Sequence, residues 1–263
     1  MSKPLRVVYM AKSKRSAARA LAWLVERGCE VPAVVASEPD AWTVPEQRVD
    51  LVASEHGLDL VSERELYERA DAGALGQVDL VVSFLFWNRI REPLISLGRV
   101  GCLNFHPAPL PDFRGLGGYN MAILDDLPEW GVSCHFVDES FDTGDLVDVE
   151  RFPVDRDAET AFSLDLKSQD RLLAQFQRVM TRALAGEELP RAAQGEGRYV
   201  DRAELEALRR VSPGDDVERK IRAFWYPPWP GAVVEVAGRD LTLVDHALLS
   251  ELATAYRSAG HIP

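Results

Sequence analysis

An α/β fold on a mostly parallel sheet is predicted by three observations. Short β-branched runs alternate with amphipathic segments through the first hundred residues, and glycines close several of the amphipathic segments. A chain of 263 residues, 46% hydrophobic and 27% charged, suits one large core with a small appendix. Strand and helix alternating at this rhythm require right-handed crossovers, which cover both faces of a parallel sheet in the Rossmann-like manner.

Residues 5–10 read as the first strand and 16–27 as a helix, with Ala17, Ala20, Leu21, Leu24 and Val25 at helical spacing and Gly28 as its stop. Residues 31–36 form a second strand and 44–56 a loop and helix closed by Gly57. A short strand at 58–61, a helix at 63–75 and a buried strand at 78–83 follow. Ligands of such sheets sit beyond the carboxyl ends of the strands, so the loops after Met10, Val82 and Leu103 are where chemistry is expected. Residues 132–137 and 145–152 read as strands and 160–184 as a long helix ended by Gly186. Past Arg198 come a polar stretch, a helix at 216–224, the segment FWYPPWPG and two short strands at 232–236 and 241–244, a small C-terminal α+β subdomain. The expected division is 1–199 for the large domain and 200–263 for the subdomain.

The net charge of -12 opposes a phosphate backbone, and no strong basic patch offsets it, so no nucleic-acid partner is expected. The three cysteines, Cys29, Cys102 and Cys134, are too dispersed for a disulfide framework or a CxxC metal spacing, and no metal is expected. The N-terminal MSKPLRVVYMAKSKRS lacks an apolar core of signal-peptide length, and no stretch approaches 18 apolar residues. A cytoplasmic protein without a membrane partner is the expectation.

Asn104 and His106, in NFHPAPLPDFRG, are two residues apart at a strand end, so both side chains fall on one face and converge on one volume. Pro107, Pro109 and Pro111 deny the next segment a ladder or helix and are expected to hold it extended. In the turn FDTGD, Asp142 precedes Thr143 and Gly144; a carboxylate brought beside His106 would orient its ring and favour the imidazolium. An amide donor, an acid/base and its orienting acid make a set suited to acyl transfer. The structural alternatives are a satisfied turn histidine for His106, a turn former for Asp142 and a buried support of the Asp142 loop for His135.

NFHPAPLPxxRG followed by GVSCHFVDESFDTG resembles the folate-dependent formyltransferases, whose motif is Asn-x-His-(Pro/Gly)-Ser-Leu-Leu-Pro, then Gly-Val-(Thr/Ser)-x-His and Asp-x-Gly. The 36-residue step from His106 to Asp142 also suits that family, and the likeness covers roughly residues 1–190. The resemblance implies 10-formyltetrahydrofolate as donor, with Asn104 stabilising the tetrahedral oxyanion, His106 handling protons and Asp142 orienting His106. The family's serine and first leucine are Ala108 and Pro109 here. The segment Phe84, Leu85, Phe86, Trp87, Asn88 is similar to the one lining the family's pterin pocket, as is the loop Val137, Asp138, Glu139, Ser140, Phe141.

The short tail IRAFWYPPWPGA looks most like the nucleotide-sugar N-formyltransferases, and it echoes the start of the C-terminal domain of the tRNA-acting enzymes. Arg114, Tyr119 and Asn120 lie where the sugar-acting relatives shape the acceptor site, and Trp225 is placed to stack on a base or to pack the subdomain. Lys12, Lys14 and Arg15, in the first strand-to-helix loop, are expected to hold an anion or to be a solvated turn. Open beside the sugar acceptor are an amino-acid or peptide amine, methionyl-tRNA, and a catalytically silent folate- or nucleotide-binding relative. Apolar residues in the C-terminal strands make a homodimer the expected assembly.

Overall fold

In the computed structural model, which describes residues 4–258, the chain runs β1 (Val7–Ala11), α1 (Arg15–Glu26), β2 (Val34–Ala36), α2 (Val49–Glu55), α3 (Glu63–Asp71), β3 (Leu80–Phe84), α4 (Leu94–Leu97) and β4 (Gly101–His106). β5 (Phe113–Gly115), α5 (Gly118–Leu124), β6 (Glu129–Phe136), β7 (Leu146–Pro153) and the long α6 (Ala161–Leu184) follow. The last elements are β8 (Arg198–Val200), α7 (Arg202–Arg209), α8 (Val217–Phe224), β9 (Val233–Val236), β10 (Arg239–Thr242) and α9 (His246–Ser258).

Six strands form one sheet in the order β2-β1-β3-β4-β6-β7. β1 pairs in parallel with β2 and β3, and β3 with β4, whereas β6 runs antiparallel to β4. Because β2 and β3 lie on opposite sides of β1, the chain changes winding direction there, and the carboxyl ends of β1 and β3 flank a switch-point crevice. The expected strand at 58–61 is reduced to a single parallel bridge, Val34 with Leu60.

Strand alternation splits the core in two. On one face Phe176 of α6 meets Phe84 at 5.6 Å, Phe105 at 5.0 Å and Trp23 of α1 at 5.8 Å between ring centroids. On the other, Val8, Met10, Val35, Leu66, Val81, Leu94 and Cys102 make a continuous apolar cluster. These elements belong to one compact unit, the chain up to Gly115 with Gly131–Phe152 and Lys167–Tyr199.

The second unit starts its last stretch at Val200, close to the boundary expected near residue 200, but it also draws in Leu116–Trp130 and Pro153–Leu166. The reason is a shared apolar cluster: Ile123 of α5 and Ala161 pack with Ile221, Ala223, Phe224, Ala232 and Leu248. A single cut in the sequence therefore does not separate the two units. α5, α7 and α9 were not anticipated as elements, while the two short strands became the antiparallel hairpin β9-β10.

Candidate active site

β4 carries Cys102 into the second cluster and Phe105 against Phe176, so Asn104 and His106 continue the Cys102 face to the strand's end. Register then supplies their neighbours: Asn104 lies beside Ser83 of β3 and opposite His135 of β6, and His106 lies opposite Ser133. The Ser83 hydroxyl donates to Asn104 Oδ1 at 2.7 Å, and Asn104 Nδ2 contacts His135 Nε2 at 3.0 Å. His135 Nδ1 is 2.7 Å from the Phe136 carbonyl, which only accepts, so Nδ1 carries a proton in either state of the ring, and in the neutral ring Nε2 is left to accept from Asn104. The amide orientation follows, since the flipped form would set Asn104 Oδ1 against a lone pair and a carboxylate.

That carboxylate is Asp142. Its Oδ1 lies 3.6 Å from His106 Nδ1, 3.6 Å from His135 Nε2 and 3.4 Å from Asn104 Nδ2, and its Oδ2 accepts from the Gly115 N–H at 3.3 Å. Asp142 has φ of +55°, a left-handed conformation that its turn imposes. The Asp138 carboxylate organises that turn by accepting from Ser140 N at 2.9 Å and from the Thr143 hydroxyl at 2.7 Å.

Burial raises the Asp142 carboxyl, but His106, His135 and the Gly115 N–H outweigh it and hold Asp142 well below the usual carboxylate range. His106 is pulled below its ordinary value by burial and by His135, against the opposing attraction of Asp142 and the Phe113 backbone hydrogen bond. Near neutral pH the pair is therefore a neutral imidazole beside a carboxylate. With the Nδ1 edge facing Asp142, the ring's basic atom is Nε2, which is buried without a hydrogen-bond partner among the described residues. The site presents an unused proton acceptor beside an amide donor, the pairing needed where an amine attacks a carbonyl carbon.

Residues 7–183 match the Formyl transferase family. The chain belongs to that family. A GDP-perosamine N-formyltransferase of Brucella melitensis is 32% identical over 182 residues, 68% of this chain and 68% of the relative. A methionyl-tRNA formyltransferase of Citrifermentans bemidjiense is 28% identical over 250 residues, 87% of this chain and 73% of that protein. The fold is shared with an N-formyltransferase of Helicobacter canadensis solved with folinic acid and dTDP-3-aminofucose, at TM-score 0.73 and 18% identity over 90% of this chain and 86% of that one.

The structure brings Asn104, His106 and Asp142 of this formyl transferase together and distributes the other candidates unevenly. Phe84 is fully buried and stacks on Phe105 at 5.7 Å, so its side chain belongs to the core and lines no pocket. Leu85, at φ of +55°, turns the chain out of β3. Phe86 and Val137 pack on the same apolar cluster, while Trp87, Glu139, Ser140 and Phe141 are exposed. Asn88 is engaged by Glu63 at 2.6 Å, and Asp138 by its own turn. Lys12 and Arg15 are exposed, and Lys14 is the N-cap of α1, whose first turn holds no acid. Arg114 is bound by Gln194 at 3.2 Å and by the Gly195 carbonyl at 2.8 Å.

Three acceptor candidates instead serve the second unit. Tyr119 and Trp225 pack against its apolar cluster, and Asn120 donates to the Ala223 carbonyl at 2.7 Å. The Asn120 commitment runs against a sugar contact from that residue, because the amide that would reach a ligand holds α5 against α8. The prolines also act differently from expectation. Residues 107–112 bend and turn, with Phe113 N donating to the Pro109 carbonyl at 3.2 Å, instead of running extended.

Sequence reasoning missed Ser83, the Gly115 N–H and the bond from Asn104 to His135. Each depends on register between strands or loops far apart in the chain. The alternation of Ser83 with the inward Phe84 was the one available signal for the first.

Proposed function

We propose that this formyl transferase moves a formyl group from 10-formyltetrahydrofolate to the primary amine of a nucleotide-linked amino sugar. The observation that carries the reading is His106 Nε2, buried and unpartnered among the described residues, beside Asn104 and backed by Asp142. The acceptor nitrogen attacks the formyl carbon, the carbonyl pair moves onto oxygen, and Asn104 Nδ2 exchanges its long 3.4 Å contact with Asp142 for the new oxyanion. His106 Nε2 takes the proton of the attacking amine, and Asp142 stabilises the imidazolium across 3.6 Å. Collapse breaks the bond to the folate nitrogen, which receives the proton from His106 and leaves as tetrahydrofolate.

The pterin lies between the Phe86–Trp87 and Val137–Phe141 segments, whose apolar residues Phe86 and Val137 flank one cluster. A sugar acceptor is supported by the 32% identical GDP-perosamine relative, and the net charge of -12 disfavours the polyanionic tRNA used by the methionyl-tRNA enzymes. The same reading makes the enzyme cytoplasmic. It also makes it a homodimer, through exposed apolar residues of the hairpin such as Val236 and Leu241.

The test is tetrahydrofolate release from 10-formyltetrahydrofolate with GDP-perosamine, dTDP-3-aminofucose, free amino acids and methionyl-tRNA in parallel. Turnover is expected with a nucleotide sugar, and Asn104→Ala is expected to lower kcat about 10²- to 10³-fold while folate still binds by calorimetry. Turnover confined to amino acids or tRNA removes the sugar acceptor, and no turnover with any amine removes the transferase reading.

A further inference from the structure

The family match ends at residue 183, yet the site is braced by chain beyond it. Residues 191–198 run as a strap along the two segments that hold Asp142. At one end the Arg191 guanidinium lies 3.4 Å over the Phe136 ring, and Ala192 and Leu146 exchange backbone hydrogen bonds of 2.8 and 3.0 Å. At the other, Arg198 N donates to the Asp112 carbonyl at 3.0 Å, and Gly197 runs so close to Pro111 that a Cβ there would meet its carbonyl oxygen at 1.6 Å. Between them is Gln194, half-buried in an otherwise exposed run. Its Nε2 donates to the Gly144 carbonyl at 2.5 Å, and its Oε1 accepts from Arg114 Nη2 at 3.2 Å.

Gly144 is two residues from Asp142, and Arg114 adjoins Gly115, whose N–H donates to that carboxylate. Gly144 also runs close against the end of β6, where an added Cβ would meet the Phe136 oxygen at 2.0 Å. We propose that Gln194 is a positioning residue: its amide clips the Gly144 loop to the Arg114–Gly115 segment and thereby sets where the Asp142 carboxylate stands against His106. Arg114 is then part of this brace, through Nη2. Beside the Asp142–Gly115 bond itself, the Gln194 amide joins these two segments at both of its polar atoms, so its loss leaves the carboxylate's position to that single 3.3 Å contact and the backbone.

The proposal rests on Asp142 acting through His106, and the experiment separates the two. The groups facing the His106 ring are Asp142 and His135, and the attraction of Asp142 raises the ring's proton affinity. The His106 Cε1–H resonance is titrated by NMR in the wild type, in Asp142→Asn, and in Gln194→Ala and Gln194→Met, the last keeping the side-chain length without its hydrogen bonds. Both Gln194 variants are expected to move the His106 midpoint downward toward that of Asp142→Asn. They are also expected to lower kcat about 10- to 100-fold, with KM for 10-formyltetrahydrofolate within about twofold of wild type. If Asp142→Asn itself leaves the midpoint in place, the underlying reading of the pair fails. If Asp142→Asn moves it and a folded Gln194 variant titrates like the wild type, the positioning role of Gln194 is overturned.

Discussion

Replacing Asp142 by asparagine removes one charge from the site and almost no volume. In the wild type the carboxylate is ionised across the working pH range, held there by His106, His135 and the Gly115 N–H in spite of burial. When His106 accepts a proton, the new cation stands 3.6 Å from Asp142 Oδ1. Two unit charges at that separation attract by about 4 to 5 kcal/mol at an effective dielectric constant near 20, and by about 1 kcal/mol in bulk water. Both side chains are only 12% exposed, which places the pair nearer the first figure. At about 1.4 kcal/mol per factor of ten, loss of the charge lowers kcat about 10²- to 10³-fold. A second effect has the same sign: an amide N–H turned toward Nδ1 would put the ring proton on Nε2, the atom that has to receive one. The pH profile adds an independent check. His106 must be neutral to act as base, and Asp142 raises its proton affinity, so removing the charge moves the acid limb of kcat/KM to lower pH while the plateau falls. The assay is tetrahydrofolate release with a turning-over acceptor between pH 5 and 9. A plateau within about threefold of wild type, or an acid limb displaced upward, would refute the role given to Asp142.

Two further substitutions test the frame that aims the site. Phe176→Ala removes the ring shared by Phe84, Phe105 and Trp23 and is expected to cost about 3 to 5 kcal/mol in urea unfolding; a loss below about 1 kcal/mol would mean that this face of the core is not tightly packed. Ser133 bridges the turn after His106 by donating to the Ala108 carbonyl and accepting from Leu110 N; Ser133→Ala strands both groups, costing about 1 to 3 kcal/mol for each, whereas Ser133→Thr keeps the hydroxyl and most of the stability, and equal unfolding midpoints for the two variants would contradict that bridge.

The parts of this molecule that the sequence discloses are those governed by local periodicity. Alternation placed Asn104 and His106 on one face of a strand, and β-branched runs located β1 and β3 within a few residues of their ends. Phe84 shows the limit of reading a segment by likeness alone: the same alternation that turns Ser83 toward Asn104 turns Phe84 into the core. Register across the antiparallel pair β4-β6 decides that His135 supports Asn104 as well as Asp142, and no period in either strand encodes register. Tyr119 and Asn120 are read as acceptor contacts by likeness alone, yet Gly117, at φ of +67°, caps α5, and the helix turns the Tyr119 ring to an apolar cluster and the Asn120 amide to the Ala223 carbonyl. The Gln194 clip joins residues 50 and 80 positions apart, a link formed only once two loops have folded toward each other.

The departures at Ala108 and Pro109 bear on whether the site is still competent. A serine at position 108 would place a hydroxyl in the turn after His106, and its absence would leave that turn unsupported unless another group took the load. Ser133, fully buried and opposite His106 in register, takes it from across the sheet: its hydroxyl donates to the Ala108 carbonyl at 2.8 Å and accepts from Leu110 N at 2.9 Å. Both partners are backbone groups, so the side chain at 108 is free to be small, and at 4% exposure a methyl group is buried there without leaving a polar atom unpaired. Pro109 keeps its carbonyl for Phe113 N, and its ring lies against Gly131, where an added Cβ would stand 2.9 Å from the Pro109 Cβ. Neither change touches the atoms that join Asn104, His106 and Asp142, which are held instead by Ser83, His135 and Gly115. The sequence ground for a catalytically silent relative is thereby removed, because the turn is secured by a residue 25 positions away from the one that differs.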